Sequence, residues 1–194
     1  MKKSGKAPYI NASDRNAAIE SLSGKNRYRN EAVLLFSHFL GLRSKEIASL
    51  KIRDVFDSRS GALREVIRLV AAYTKGGKYR EVFLMDQETK STITRYIINE
   101  RAGHSPDDPL FLSQKGGAFS ANTMQRMIAN LYKNAGIKGS SHSGRRSFAT
   151  NLINQNVDIY SVQQLLGHSS IQTTQEYFTS NPDRLKNQVL KLSQ

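Results

Sequence analysis

One short block interrupts an otherwise helical chain and limits what it can become. From residue 63 to 84 the apolar spacing switches to the two-residue alternation of strands. Val66-Ile67-Arg68-Leu69-Val70 and Tyr79-Arg80-Glu81-Val82-Phe83-Leu84 are the two runs, and Gly76-Gly77 between them is a hairpin turn signal. On both sides the period is helical. Residues 11–21 predict a short helix capped by Asn11 or Ser13, and 29–40 an apolar helix through Val33, Phe36 and Leu40, ended by Gly41. Ser44 is read as the cap of a third helix over 45–50. Further helices are expected over 87–101, 120–135, 144–155 and 158–166, the last with Ile159, Val162, Leu165 and Leu166 on one face and Gly167 as its stop. A final helix over 183–192 carries Leu185, Val189 and Leu192 as a stripe. The expected fold class is therefore mainly α with a small antiparallel β-sheet (α+β). No internal repeat or strong linker divides the 194 residues, a length that supports one sizeable core. Residues 1–8, with Lys2, Lys3 and Lys6, are read as a basic flexible arm.

Charge narrows the partner. The chain carries 29 Lys+Arg against 16 Asp+Glu, a formal charge of +13, which favours a polyanion and most simply nucleic acid. The distribution is more telling than the total. No acid occurs in the 49 residues from 109 to 157, a stretch that holds Lys115, Arg126, Lys133, Lys138, Arg145 and Arg146. Such a one-sign segment repels itself unless it faces an anion. The chain has no cysteine, which excludes disulfides and thiolate metal sites and fits a reducing cytoplasm. No apolar run is long enough to span a bilayer, and the basic start has no apolar segment behind it, so no signal peptide is read there.

Six residues are ordered as parts of one site: Arg43, Lys75, His142, Arg145, His168 and Tyr177. Taken singly, each has an ordinary explanation. An arginine at a helix start is usually a solvated charge. A hairpin lysine such as Lys75 usually guards a sheet edge. A histidine after a helix stop is usually a C-terminal cap, and most tyrosines are packing residues. Taken together they can surround a phosphate diester. Guanidinium grips phosphate through two parallel hydrogen bonds, which lysine cannot do. Glu46, one helical turn beyond Arg43, can orient it. His142 and Arg145 open a helix, where backbone N–H groups also favour an anion. A tyrosine can attack phosphorus, and neither a carboxylate pair nor a cysteine is needed, so the set points to phosphoryl transfer without metal. Zinc ligands of suitable spacing are missing around His142, and the Gly-x-x-x-x-Gly-Lys-Ser/Thr phosphate loop is absent despite Gly76-Gly77.

These residues resemble the tyrosine recombinases, or phage integrase family. Gly41-Leu42-Arg43-Ser44-Lys45-Glu46-Ile47 is similar to that family's first arginine box, and Thr74-Lys75-Gly76-Gly77-Lys78-Tyr79-Arg80 to its lysine hairpin. His142-Ser143-Gly144-Arg145-Arg146-Ser147-Phe148-Ala149-Thr150 is similar to its His-x-x-Arg box. The most specific segment runs from Leu165-Leu166-Gly167-His168-Ser169-Ser170 to Thr173-Thr174-Gln175-Glu176-Tyr177. The resemblance implies a catalytic domain over 9–180 and a C-terminal helix over 181–194 that either docks on a neighbouring protomer or folds back onto its own domain. Two departures stand out. The family box usually has leucine before the second arginine and histidine after it, where this chain has Gly144 and Arg146. Members typically also carry an N-terminal helical domain that clamps DNA. Its lack here is read as either a fragment of a longer protein or a likeness to the short members, such as the fimbrial-switch invertases, that consist mainly of the catalytic domain; within the family the chain is similar to short or Xer-type site-specific recombinases.

The resemblance implies that Tyr177 attacks a DNA phosphodiester to give a 3′-phosphotyrosyl enzyme and a free 5′-hydroxyl. Arg43 and Arg145 would stabilise the pentacoordinate transition state, and His168 would donate to a nonbridging oxygen. His142 would assist proton removal from the phenol, and Lys75 would protonate the leaving oxygen. The covalent intermediate stores the bond energy, so no cofactor or metal is called for. The implied partner is double-stranded DNA bound by a homo-tetramer in the cytoplasm, with Lys78, Arg80, Lys115, Arg126 and Arg146 as DNA contacts. A type IB topoisomerase, which relaxes DNA without strand exchange, and a DNA-binding module that has lost catalysis remain open. A basic structural protein is the most distant alternative.

Overall fold

In the computed structural model, residues 6–71, 73, 79–178 and 189–190 are described. Helix α1 (Ala12–Glu20) is capped by Asn11, whose side chain accepts from the Asp14 N–H. Helix α2 (Arg27–Phe39) is the centre of the molecule. Five consecutive residues, Ala32 to Phe36, are fully buried, so this helix is enclosed on every side rather than on one face. Helices α3 (Ser44–Ser49) and α4 (Ile52–Val55) follow. The cap of α3 is Arg43, one residue before the expected Ser44.

Two hairpins come next, where one sheet was expected. Strands β1 (Phe56–Asp57) and β2 (Ala62–Leu63) pair antiparallel. They are two residues long, too short to show alternation. Strands β3 (Val66–Leu69) and β4 (Arg80–Phe83) form the expected pair, in register Val66↔Phe83 to Leu69↔Arg80.

Helix α5 (Gln87–Glu100) starts at Asp86, and α6 (Ala121–Asn134) at Ser120; each cap side chain accepts a first-turn N–H. Helix α7 (Ser143–Asn154) follows His142, and α8 (Ile159–Leu166) runs from the Asp158 cap to Gly167, which is left-handed at φ +60°. Helix α9 (Ile171–Phe178) was not expected from the apolar period. Its inward stripe is Ile171, Thr174 and Tyr177, and the one fully buried member is a threonine, so the period is hidden. The helix expected over 183–192 lies outside the described residues apart from 189–190.

Packing sorts these elements around two cores. The larger is built on α2, which touches α3, α5, α6 and α7. Phe111 knits it together, edge-on to Phe36 and stacked on Tyr96. The smaller joins Ala149 and Ile153 of α7 to Val162 and Leu166 of α8, with Tyr177 and Phe178 of α9 against it. Arg43 stands beside Leu42 of the larger core, and Arg145, His168 and Tyr177 belong to or adjoin the helices of the smaller one. No helix among the described residues is long and apolar enough to cross a membrane.

Candidate active site

Arg43, His142, Arg145, His168 and Tyr177 line one open cleft of about 350 Å³, with Arg146 and Thr173 beside them. Four elements converge to make it: the start of α3, the start of α7, the turn after α8, and α9. Lys75 and Lys78 fall in the stretch joining β3 to β4, outside the described residues.

The cleft is organised from beneath by buried charge. Arg145 is 4% exposed. Its guanidinium donates to the carbonyl of Gly41, two residues before Arg43, and to that of Leu166, two residues before His168. One side chain therefore fixes the backbone leading into both neighbours. Arg43 donates from Nη1 to Glu46 Oε1 at 2.9 Å, and its backbone N–H donates to Glu46 Oε2 at 2.7 Å. Its Nη2 lies 3.5 Å from the Gly167 carbonyl. Glu46, fully buried, thus orients Arg43 from the i+3 position.

Arg80 corrects an expectation. Read as a DNA contact, it is instead only 7% exposed and donates to Glu46 Oε2 at 2.7 Å and to the Leu165 carbonyl. Strand parity carries the signal for this. Arg80 shares a face with Val82 and Leu84, both buried, so the alternation that identifies the strand also turns Arg80 inward. Gly167 belongs to the same arrangement: a Cβ there would lie 2.5 Å from Arg80 Cδ. Lys115 and Arg126 are exposed and stand outside the cleft. Lys6, in the expected flexible arm, is at the cleft rim with Nζ 3.4 Å from the Glu176 carbonyl. The next residues are tied to α7, where the Ile10 N–H donates to Ser147 Oγ at 2.9 Å and Tyr9 OH to Asn151 Oδ1 at 3.0 Å.

Electrostatics follow from three guanidiniums sharing one carboxylate. Burial pushes the Glu46 carboxyl up. Arg80, Arg145 and the Arg43 N–H and guanidinium overcome that and hold it below the usual carboxylate range. Burial, with Arg43 and Arg80 adding to it, lowers Arg145 to about 9, so it remains a cation at neutral pH. Burial, then Arg145, Arg43 and Arg80, lower His168 to about 4. Burial, Arg145 and Arg43 lower His142 as well. Both histidines are therefore neutral near pH 7, able to donate one N–H and accept one proton. The His168 ring stacks on Tyr177 with centroids 6.1 Å apart and planes 7° from parallel. Its Nδ1 is 2.9 Å from Thr174 Oγ1, a residue of the most specific segment to which the sequence assigns no role. An anion entering the cleft meets Arg43 and Arg145, with Arg146 and Lys6 also on the lining, two neutral imidazoles and a tyrosine; Glu176 is the one acid among the lining residues. That arrangement suits stabilising charge on a phosphoryl group under nucleophilic attack.

Among the described residues, no group of three or more His, Cys, Asp or Glu is placed to hold a metal ion. The model of the phage integrase family matches residues 9–184. Tyrosine recombinase XerH of Helicobacter pylori is 32% identical over 168 residues, which are 85% of this chain and 45% of that protein. Tyrosine recombinase XerC of Pelobacter propionicus is 31% identical over 181 residues, 91% of this chain and 57% of that protein. Among solved structures, XerA recombinase superposes with a TM-score of 0.77 at 31% identity, covering 98% of this chain and 66% of that one. XerH bound to a palindromic difH substrate, a post-cleavage complex, gives a TM-score of 0.75 at 28% identity, covering 99% of this chain and 55% of that one. The chain spans about half the length of the curated relatives it matches.

Proposed function

The chain belongs to the phage integrase family, and we propose that it is the catalytic part of a site-specific DNA recombinase working through a 3′-phosphotyrosyl intermediate. One observation carries this reading: five candidate side chains from four separate elements meet in one cleft, with Arg145 holding the backbone beside two of them. Tyr177 Oη attacks phosphorus as the bond to the 5′-oxygen breaks. The phenolic proton passes to neutral His142, and Lys75 supplies a proton to the departing oxygen. Arg43 and Arg145 take the charge of the nonbridging oxygens, and His168 adds a hydrogen bond. A 5′-hydroxyl from a partner strand reverses each transfer, so the protons return to where they began.

Double-stranded DNA is the proposed substrate, supported by the charge of +13 and by the DNA-bound XerH relative. We assign Lys78, Lys115, Arg126 and Arg146 to DNA backbone contacts. The proposed working unit is a homo-tetramer in the cytoplasm, with residues 181–194 as the segment exchanged between protomers.

The test is incubation with a library of nicked duplexes carrying randomised sequence, followed by detection of an SDS-resistant adduct. The expected result is an adduct that vanishes in Tyr177→Phe while DNA binding persists. Binding without any adduct would favour a non-catalytic module. Relaxation of supercoiled DNA with no joining of two sites would favour the topoisomerase reading.

A further inference from the structure

The Thr174 hydroxyl is fully buried on α9, one turn before Tyr177, and its side-chain partner is His168 Nδ1 at 2.9 Å. A buried hydroxyl must place its proton on an acceptor or lose the worth of a hydrogen bond. His168 Nδ1, at 2.9 Å, is a side-chain nitrogen able to accept it. An imidazole nitrogen that accepts carries no proton, so the ring's single hydrogen sits on Nε2.

We propose that Thr174 is a positioning residue that fixes His168 as the Nε2–H tautomer and holds its ring against Tyr177. This rests on the recombinase reading only for the consequence that Nε2–H is the donor offered to a nonbridging phosphate oxygen. The opposite tautomer would present a lone pair to the phosphate and repel it. The same contact ties the tyrosine helix to the turn after α8. His168 and Tyr177 therefore move as one unit, with threonine and tyrosine on the same face at i and i+3.

Nitrogen-15 NMR of the histidine-labelled protein tests the tautomer without any DNA, with His168→Gln used to assign the ring. The wild type is expected to show its proton on Nε2 and a hydrogen-bonded Nδ1. In Thr174→Val the Nδ1 resonance should move to that of a nitrogen without a hydrogen bond, and in Thr174→Ser it should stay. A wild-type proton on Nδ1, or an Nδ1 resonance indifferent to valine, overturns the assignment. Rates of adduct formation give the second readout. Thr174→Val should slow cleavage about tenfold, the worth of one hydrogen bond, with DNA affinity unchanged. Serine should restore the rate, and adding valine to His168→Gln should cost nothing more. Loss of rate with the His168 signals unmoved, or an additive double variant, places Thr174 outside this role. Absence of an adduct in the wild type would sink the recombinase reading and leave the tautomer measurement standing.

Discussion

Arg80 and Glu46 form a buried ion pair at 2.7 Å, joining strand β4 to helix α3, which Arg43 caps. Glu46 has a second partner in Arg43 at 2.9 Å, so one carboxylate neutralises an inner and an outer guanidinium. The inner one is structural. Its aliphatic stem lies under Gly167 and its head reaches the Leu165 carbonyl, so the strand, α3 and the end of α8 share a single side chain.

Replacing Arg80 by methionine keeps the stem and removes the charge. Glu46 then keeps Arg43 as its ion-pair partner and the field of Arg145 but loses its most buried pairing, and breaking a buried pair in this way costs about 3 kcal/mol or more. Adding Glu46→Gln should return part of that loss. Denaturant unfolding measures both. A phosphate contact would behave differently: its loss would flatten the salt dependence of DNA binding, a slope Arg80→Met should leave unchanged.

Gly144 stands where the family box has leucine, and the neighbouring helix explains it. A Cβ at 144 would lie 2.5 Å from Ser37 Oγ and 2.8 Å from Ser37 Cβ, so α7 meets α2 through two small residues. Gly144→Ala should destabilise the fold by about 1–3 kcal/mol as the helices separate. Ser37→Gly in the same chain should recover much of it. Thermal unfolding of the single and double variants checks the coupling.

These two residues show what the sequence holds and what it hides. Helix positions follow from apolar period, and caps such as Asp86, Ser120 and Asp158 mark their starts. The identity of the site comes from order and spacing along the chain. Partners that are polar and buried leave no such mark. Thr174 breaks the period of α9, and Arg80 looks like one more basic residue until strand parity turns it inward. Lys75, Lys78 and, apart from 189–190, the expected helix over 183–192 lie outside the described residues.

Arg43 and Arg145 each commit part of their guanidinium to protein. Arg145 gives hydrogen bonds to the carbonyls of Gly41 and Leu166, and Arg43 to Glu46 and, at 3.5 Å, to the carbonyl of Gly167. Alanine at either should lower adduct formation by about 10² or more, the scale for losing one preorganised donor. Arg145→Lys should do little better, because an ammonium has no planar fork to hold two carbonyls and still face phosphate. Single-turnover cleavage of a nicked duplex at saturating protein measures this apart from binding.

His38 sets an acid limit on the fold. It is 5% exposed, with Nε2 2.9 Å from the hydroxyl of buried Tyr132, and burial, then Arg15, lower it to about 4. Unfolded, it takes a proton near the ordinary imidazole value of about 6.5. The folded state binds fewer protons between those values, so acid favours unfolding. The stability is intact above about 6.5 and falls as pH drops toward 4, by about 3 kcal/mol from this residue. His38→Gln should flatten the decline between pH 6.5 and 4, as measured by urea unfolding across that range.

Lys75 is the remaining member of the proposed set, and its role can be isolated chemically. It lies between Leu69 and Arg80, which pair across the hairpin, and Arg80 is anchored to the carboxylate that orients Arg43. The connection thus leaves and returns at strands fixed to the cleft. If Lys75 protonates the departing 5′-oxygen, its loss matters only while that oxygen needs a proton. A sulfur in the 5′-bridging position leaves as a thiolate without one. Lys75→Ala should therefore cleave the ordinary nicked duplex at least about 10²-fold more slowly than wild type, the range for a general acid. On the sulfur-bridged duplex it should match the wild-type rate. Arg145→Ala should stay slow on both, because the nonbridging oxygens are unchanged. Equal defects of Lys75→Ala on the two duplexes would remove Lys75 from this role and direct the same comparison to Lys78.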